Sequence, residues 1–195
     1  MDTVVKSGKV IARKDGAIGW VIFNNPEKRN AMSLEMYEAT AAAMESYAKD
    51  PEVRVVILRG EGDKAFISGA DISQFKDRRS NPEQVQAAET ISERCNRAIR
   101  DCPKPVIAMI RGYCMGGGLG LAVACDLRIA SDDSRFGVPA AKLGVGYRFS
   151  GVRRLTELVG PSRPTSSTDR SVVPPSRHRR RPMSPLWQTR GRTRP

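Results

Sequence analysis

The chain holds one histidine, His178, near its C-terminal end. Serine–histidine or cysteine–histidine catalysis and histidine-based metal centres therefore lack a partner, and no metal is expected. Cysteine is scarce too. Cys95, Cys102, Cys114 and Cys125 show no C-x-x-C spacing and stand in apolar or helical settings. That suits reduced, structural thiols in a cytoplasmic protein. No apolar run approaches the ~20 residues of a membrane span. The start, Met1-Asp2-Thr3-Val4-Val5-Lys6, has no apolar signal-peptide core. Two nucleotide-binding patterns are also missing. No G-x-G-x-x-G fits over Gly112 to Gly120, and no Gly-Lys-Ser/Thr follows that stretch.

Negative charge is short at one end only. The formal net charge is +12, yet residues 1–160 balance 24 Lys and Arg against 20 Asp and Glu. Residues 161–195 carry nine arginines against one acid, Asp169. This tail is built from Pro, Arg, Ser and Thr, including Pro174-Pro175 and Arg177-His178-Arg179-Arg180-Arg181. It has no apolar period, so ordering it buries little in return for the entropy lost. The expected organisation is a folded core over 1–160 and a disordered Arg/Pro/Ser-rich tail over 161–195. Arginine clusters bind phosphate backbones, which makes nucleic-acid binding one alternative. A single tail aromatic, Trp187, and the lack of any recognisable motif speak against it.

The most informative stretch runs from Pro105 to Asp126. Val106 to Ile110 reads as a short buried strand, Gly112 punctuates it, and Gly116, Gly117 and Gly118 open a small-residue helix. Each glycine costs a helix roughly 1 kcal/mol against alanine. Two readings remain for them: close packing on a neighbour, or bare N–H groups left for a ligand carrying negative charge.

Lys64-Ala65-Phe66-Ile67-Ser68-Gly69-Ala70-Asp71-Ile72 follows a strand over Val53 to Leu58. With the pattern Gly112, Gly116, Gly117, Gly118, Leu121, Cys125, Asp126, it resembles the enoyl-CoA hydratase/isomerase (crotonase) family. That family carries A-F-x-x-G-A-D-I and then G-x-x-x-G-G-G-x-x-L-x-x-x-C-D. Asn24-Asn25-Pro26-Glu27-Lys28-Arg29-Asn30-Ala31-Met32 is similar to a third family loop. The resemblance covers roughly Val10 to Gly160, where the family normally continues with further helices. The abrupt change after Gly160 suggests a truncation or a change of reading frame.

Read in order, the chain offers strands over Val4 to Arg13 and Ile18 to Phe23 around a hairpin signal at Lys14-Asp15-Gly16. A loop comes next. Ser33 then caps a helix over Leu34 to Lys49, with Met36, Tyr37, Ala41, Met44 and Ala48 on its apolar face. After Val53 to Leu58, Ile72 to Asn81 reads as a polar, mobile cover. A helix from Glu83 to Asp101 turns Ile91, Cys95, Ala98 and Ile99 inward. Leu127 to Ala130 is a strand, Ser131 to Pro139 a turn region, Ala140 to Leu143 a helical turn and Val152 to Val159 a helix. Recurring strand-to-helix units predict an α/β class. The resemblance makes that a crotonase-like spiral of ββα units, incomplete at the C-terminus.

The resemblance also implies a chemistry. Such proteins act on acyl-CoA thioesters and stabilise an enolate with two backbone N–H groups, here those of Ala70 and Gly117. Lys28, Arg29, Ala31, Ser68, Ala70, Asp71, Ile72, Ser73, Gly116, Gly117, Pro139 and Tyr147 match positions that line the substrate pocket. Lys28 and Arg29 suit phosphates, or are solvated surface cations. CoA is part of the substrate, so no separate cofactor is implied. Hydratases of the family use two glutamates. Gly120 and Ala140 stand at those positions, and Phe149 near a third acid position of some relatives. Asp71 is expected to orient its loop and Asp126 to end its helix. Tyr147 is either a weak acid or a buried aromatic. The expected function is acyl-CoA binding with enolate stabilisation and weak hydration, the alternative a non-catalytic acyl-CoA binder. Homotrimers or hexamers are implied for the family and doubtful for this chain. Val152, Leu155, Leu158 and Val159 would present a partly covered apolar face.

Overall fold

The computed structural model describes residues 2–71, 82–139 and 149–160; for 2–7, 82, 149 and 150 it describes the backbone alone. Three expectations lie outside these residues: the cover over 72–81, the helical turn over 140–143 and the disordered tail over 161–195.

The chain opens with β1 (Asp2–Ser7), β2 (Val10–Asp15) and β3 (Ile18–Phe23), an antiparallel meander. The single strand expected over Val4 to Arg13 is thus two. Gly8 and Lys9 make the turn, and Asn24 ties it down, its N–H donating to the Lys9 carbonyl at 2.8 Å and its side chain to the Gly8 carbonyl at 3.3 Å. The Lys14-Asp15-Gly16 hairpin forms as expected, with Asp15 opposite Ile18.

A 3₁₀ turn over Pro26–Lys28 leads to α1 (Leu34–Lys49). Ser33 caps it as the sequence indicates, its hydroxyl accepting the Met36 N–H at 3.3 Å. The buried stripe is wider than Met36, Tyr37, Ala41 and Met44, because Ala39, Thr40, Ala43 and Tyr47 are also buried. Tyr47 joins the core although it carries a hydroxyl, because that group lies 2.9 Å from the Arg13 carbonyl and 3.1 Å from that of Trp20.

From here the chain repeats one pattern three times: a strand in the large sheet, a short strand in a small sheet, then a helix. The units are β4 (Val55–Gly60), β5 (Ala65–Ile67) and α2 (Pro82–Arg100); β6 (Val106–Ile110), β7 (Tyr113–Met115) and α3 (Gly117–Ala124); and β8 (Leu127–Ala130), β9 (Arg135–Gly137) and α4 (Phe149–Val159). The large sheet has the order β1-β2-β3-β4-β6-β8, and the small sheet β5-β7-β9. Every pairing from β3 onward is parallel. This is an α/β fold of ββα units. The sequence reading misses β5, β7 and β9, since strands of three residues are too short to show a period.

The core lies between the large sheet and α1, α2 and α3. Val10, Ala12, Val21, Val56, Leu58, Val106 and Ala108 are buried from the sheet, and Met36, Met44, Cys95, Ile99 and Leu121 from the helices. Cys95 and Ile99 point inward as expected, with Ile91 and Ala98 partly buried against the core. Phe23 meets Phe66 edge to face, centroids 5.5 Å apart, and so links the two sheets. Val152, Leu155, Leu158 and Val159 of α4 are each only half-buried. Among the described residues no helix is long and apolar enough to cross a membrane.

Candidate active site

Two loops come together at the ends of β5 and β7. The first, Ser68 to Asp71, is held by the loop preceding α1. Ser68 N–H donates to the Arg29 carbonyl at 3.1 Å, Met32 N–H to the Gly69 carbonyl at 2.8 Å, and Asp71 N–H to the Met32 carbonyl at 2.9 Å. Ala70 is thereby bridged to Met32. Its own N–H has no hydrogen-bond partner among the described residues.

Asn30 holds this arrangement from below. It is fully buried, its side-chain oxygen accepting the Asn25 N–H at 2.9 Å and its amide donating to the carbonyls of Glu61 at 3.0 Å and Ala65 at 2.7 Å. Arg29 and Asn30 adopt positive φ of 51° and 55°. Asparagine tolerates that region better than most residues. The sequence reading places Asn30 in a motif but gives it no role; its role is to satisfy three backbone groups that the turn leaves over.

The second loop leads through Gly116 into α3, with Gly112 earlier, between β6 and β7, and the structure sorts the two readings of the glycines residue by residue. Gly112 and Gly118 are packing positions. A Cβ on Gly112 would stand 2.1 Å from the Lys64 carbonyl oxygen, and one on Gly118 2.6 Å from both the Cβ and the carbonyl oxygen of Ile67. Gly116 turns the chain into α3 at φ 50° and ψ −115°, its N–H donating to the Gly137 carbonyl at 2.8 Å. A Cβ built on it would stand 3.9 Å from Gly69 Cα, so the two loops lie side by side. Gly117 is the first residue of α3. Its N–H has no partner among the described residues, and no side chain caps the helix. The partial positive charge of the helix start lies at this amide.

The side chains around these amides are largely engaged. Asp71 is buried and forms an ion pair with Lys28 at 3.0 Å, which fits its expected role in orienting the loop and engages one of the two cations suggested for phosphates. Arg29 lies over the Tyr113 ring at 5.5 Å, and Arg135 lies over the same ring at 5.8 Å. Ser68 Oγ donates to the Lys28 carbonyl at 3.3 Å. Asp126 accepts the Val106 N–H at 2.9 Å, the structural role expected of it. Ala31 and Pro139 are half-buried. Ile72, Ser73, Ala140, Tyr147 and the Phe149 side chain lie outside the described residues.

Sequence reasoning places Tyr37 on the buried face of α1 and stops there. The structure puts its hydroxyl 2.5 Å from where a Cβ on Gly117 would stand. Burial holds the thiols of Cys95 and Cys114 well above the ordinary cysteine range and pushes that of Cys125 up to about 12, so none is a ready nucleophile. No cluster of metal-ligating side chains occurs among the described residues.

Residues 13–167 match the family model described as enoyl-CoA hydratase/isomerase. The chain is 37% identical over 151 residues to the short-chain-enoyl-CoA hydratase of Clostridium acetobutylicum, covering 77% of this chain and 57% of that one. It is 34% identical over 156 residues to the peroxisomal Delta(3,5)-Delta(2,4)-dienoyl-CoA isomerase of Arabidopsis thaliana, covering 75% and 56%. Among solved structures, an enoyl-CoA hydratase/carnithine racemase from Magnetospirillum magneticum superposes with a TM-score of 0.79 at 38% identity, covering 83% of this chain and 61% of that one. The chain thus spans a little over half the length of these two curated relatives.

Proposed function

Because the chain belongs to the enoyl-CoA hydratase/isomerase family, we propose that it binds acyl-CoA thioesters and stabilises negative charge on the thioester oxygen with the N–H groups of Ala70 and Gly117. The observation that carries this reading is the pair of amides, unpartnered among the described residues, on two neighbouring loops. A donor fixed before the reaction costs no reorganisation when charge develops, and one such donor is typically worth about 3–4 kcal/mol. Arg29, held at the rim over Tyr113, supplies positive charge for the phosphates of CoA.

The fate of the enolate depends on a proton-transfer group. Hydratase and isomerase are both names found among the relatives, so the names leave the reaction open. Gly120 sits one turn into α3 and carries no carboxylate, and Ala140 carries none either. With both glutamate positions empty, crotonyl-CoA hydration falls at least about a thousandfold below that of an ordinary hydratase, since each acid–base group contributes roughly 10²–10⁴-fold. Those two positions also favour the second reading, a binder without turnover.

Two measurements on the full chain test this. Calorimetry compares a saturated acyl-CoA thioester with its thioether analogue, which lacks the carbonyl oxygen. Loss of crotonyl-CoA absorbance tracks hydration. The reading requires tighter binding of the thioester. Equal affinity for the two ligands rejects the proposed amides, and hydration at an ordinary hydratase rate rejects the importance of the missing glutamates.

A further inference from the structure

We infer that the Tyr37 hydroxyl is a third hydrogen-bond donor to the thioester oxygen, beside the amides of Ala70 and Gly117. This inference rests on the proposed binding mode and extends it to a side chain from a different element. Tyr37 lies one turn into α1, its N–H donating to the Ser33 carbonyl at 3.1 Å, and its ring is buried. The ring aims its hydroxyl at the first residue of α3, whose amide has no partner among the described residues. The hydroxyl is 2.5 Å from the Cβ position of Gly117, whereas the ring carbon bearing it is 3.9 Å away. The oxygen therefore occupies the volume that any residue other than glycine would fill.

Reach is set by covalent geometry. A Cβ position lies about 2.5 Å from the nitrogen of its own residue. The phenol oxygen is then within about 5 Å of the Gly117 nitrogen. An oxygen accepting the Gly117 N–H at about 2.9 Å has room to lie about 2.8 Å from the phenol as well. A phenol donates one hydrogen bond and accepts others, so it can serve the ligand and a protein partner together. Its hydroxyl hydrogen can be offered to a developing oxyanion. Asp71, paired with Lys28, and Asp126, bonded to the Val106 N–H, already carry structural tasks.

Tyr37→Phe removes the oxygen and keeps the ring. In calorimetry against the same thioester and thioether pair, the variant should lose about 3–10-fold of the wild-type preference for the thioester, the worth of one hydrogen bond to a neutral acceptor. Its affinity for the thioether should be unchanged. A variant that keeps the whole preference overturns the inference and leaves the two amides standing. A variant that loses affinity for both ligands equally also overturns it, because Tyr37 then acts only through packing. A wild-type chain with no preference rejects the binding mode itself, and the third donor with it.

Discussion

Helices α1 and α3 meet at the same site and begin in opposite ways. At α1, Ser33 accepts the Met36 N–H and Glu35 places an acid in the first turn. At α3, Gly116 offers no side chain, and the first turn carries no acid. The C-terminal ends do not differ in this way. Lys104 Nζ donates to the Tyr47 and Asp50 carbonyls at the end of α1. Arg128 donates to the Ala122 and Cys125 carbonyls at the end of α3, at 3.1 and 2.7 Å. Both helices therefore close their C-termini with a cation, as the helix dipole favours. Among the described residues, α3 alone of the two leaves its N-terminus open. A helix start that satisfies its own donors contributes stability; one that leaves them open has donors available to a ligand and must be held in place by something else.

What holds α3 is backbone contact at Gly118, against Ile67, and the glycine segment before it is held the same way at Gly112; substitutions at these glycines break the comparison most severely. Gly112→Ala adds a methyl group 2.1 Å from a carbonyl oxygen at φ +65°. We expect a loss of about 3–5 kcal/mol in urea unfolding. Gly117→Ala meets only the end of a side chain, the Tyr37 hydroxyl at 2.5 Å. Its expected cost is about 1–3 kcal/mol. Most of that cost should return in the double variant with Tyr37→Phe, where the nearest remaining atom is 3.9 Å away. Additive losses in that cycle would show that the two residues do not touch.

The capped helix should respond more mildly. Ser33→Ala should cost about 1 kcal/mol and leave the thioester preference intact. Smallest of all is the exposed pair between α1 and α2, in which Arg94 donates to both carboxylate oxygens of Glu45 at 2.9 and 2.7 Å. The Arg94 hydrogen bonds hold the Glu45 carboxyl below its ordinary range. Its contribution is then fully present above the unfolded carboxylate pKa and is lost as pH falls through the lowered folded value. Urea midpoints of wild type and Arg94→Gln should differ slightly at neutral pH and converge in acid. A difference that persists in acid would rule out the ion pair as its source.

The same contrast explains what could be read from the chain alone. The α1 start was legible, since Ser33 announces a cap and the apolar spacing a helix. The glycine motif was legible as a pattern, yet its four glycines do different jobs. Gly112 and Gly118 answer to atoms of Lys64 and Ile67, far away in sequence, and spacing carries no such distances. β5, β7 and β9 were too short to show a period. Tyr37 was legible only as one more apolar-face residue, because what its hydroxyl meets depends on where α3 is placed. Asn30 stood in a recognisable motif, but its three backbone partners appear only once the loop is folded.

The central claim is that the Ala70 and Gly117 amides are kept open for one oxygen. Amide NMR of the full chain, titrated with a saturated acyl-CoA thioester and then with its thioether analogue, tests it most directly. The account predicts that the proton resonances of Ala70 and Gly117 both move downfield with the thioester and stay near their free positions with the thioether. Identical responses to the two ligands, or no response from either amide under saturating thioester, would contradict it.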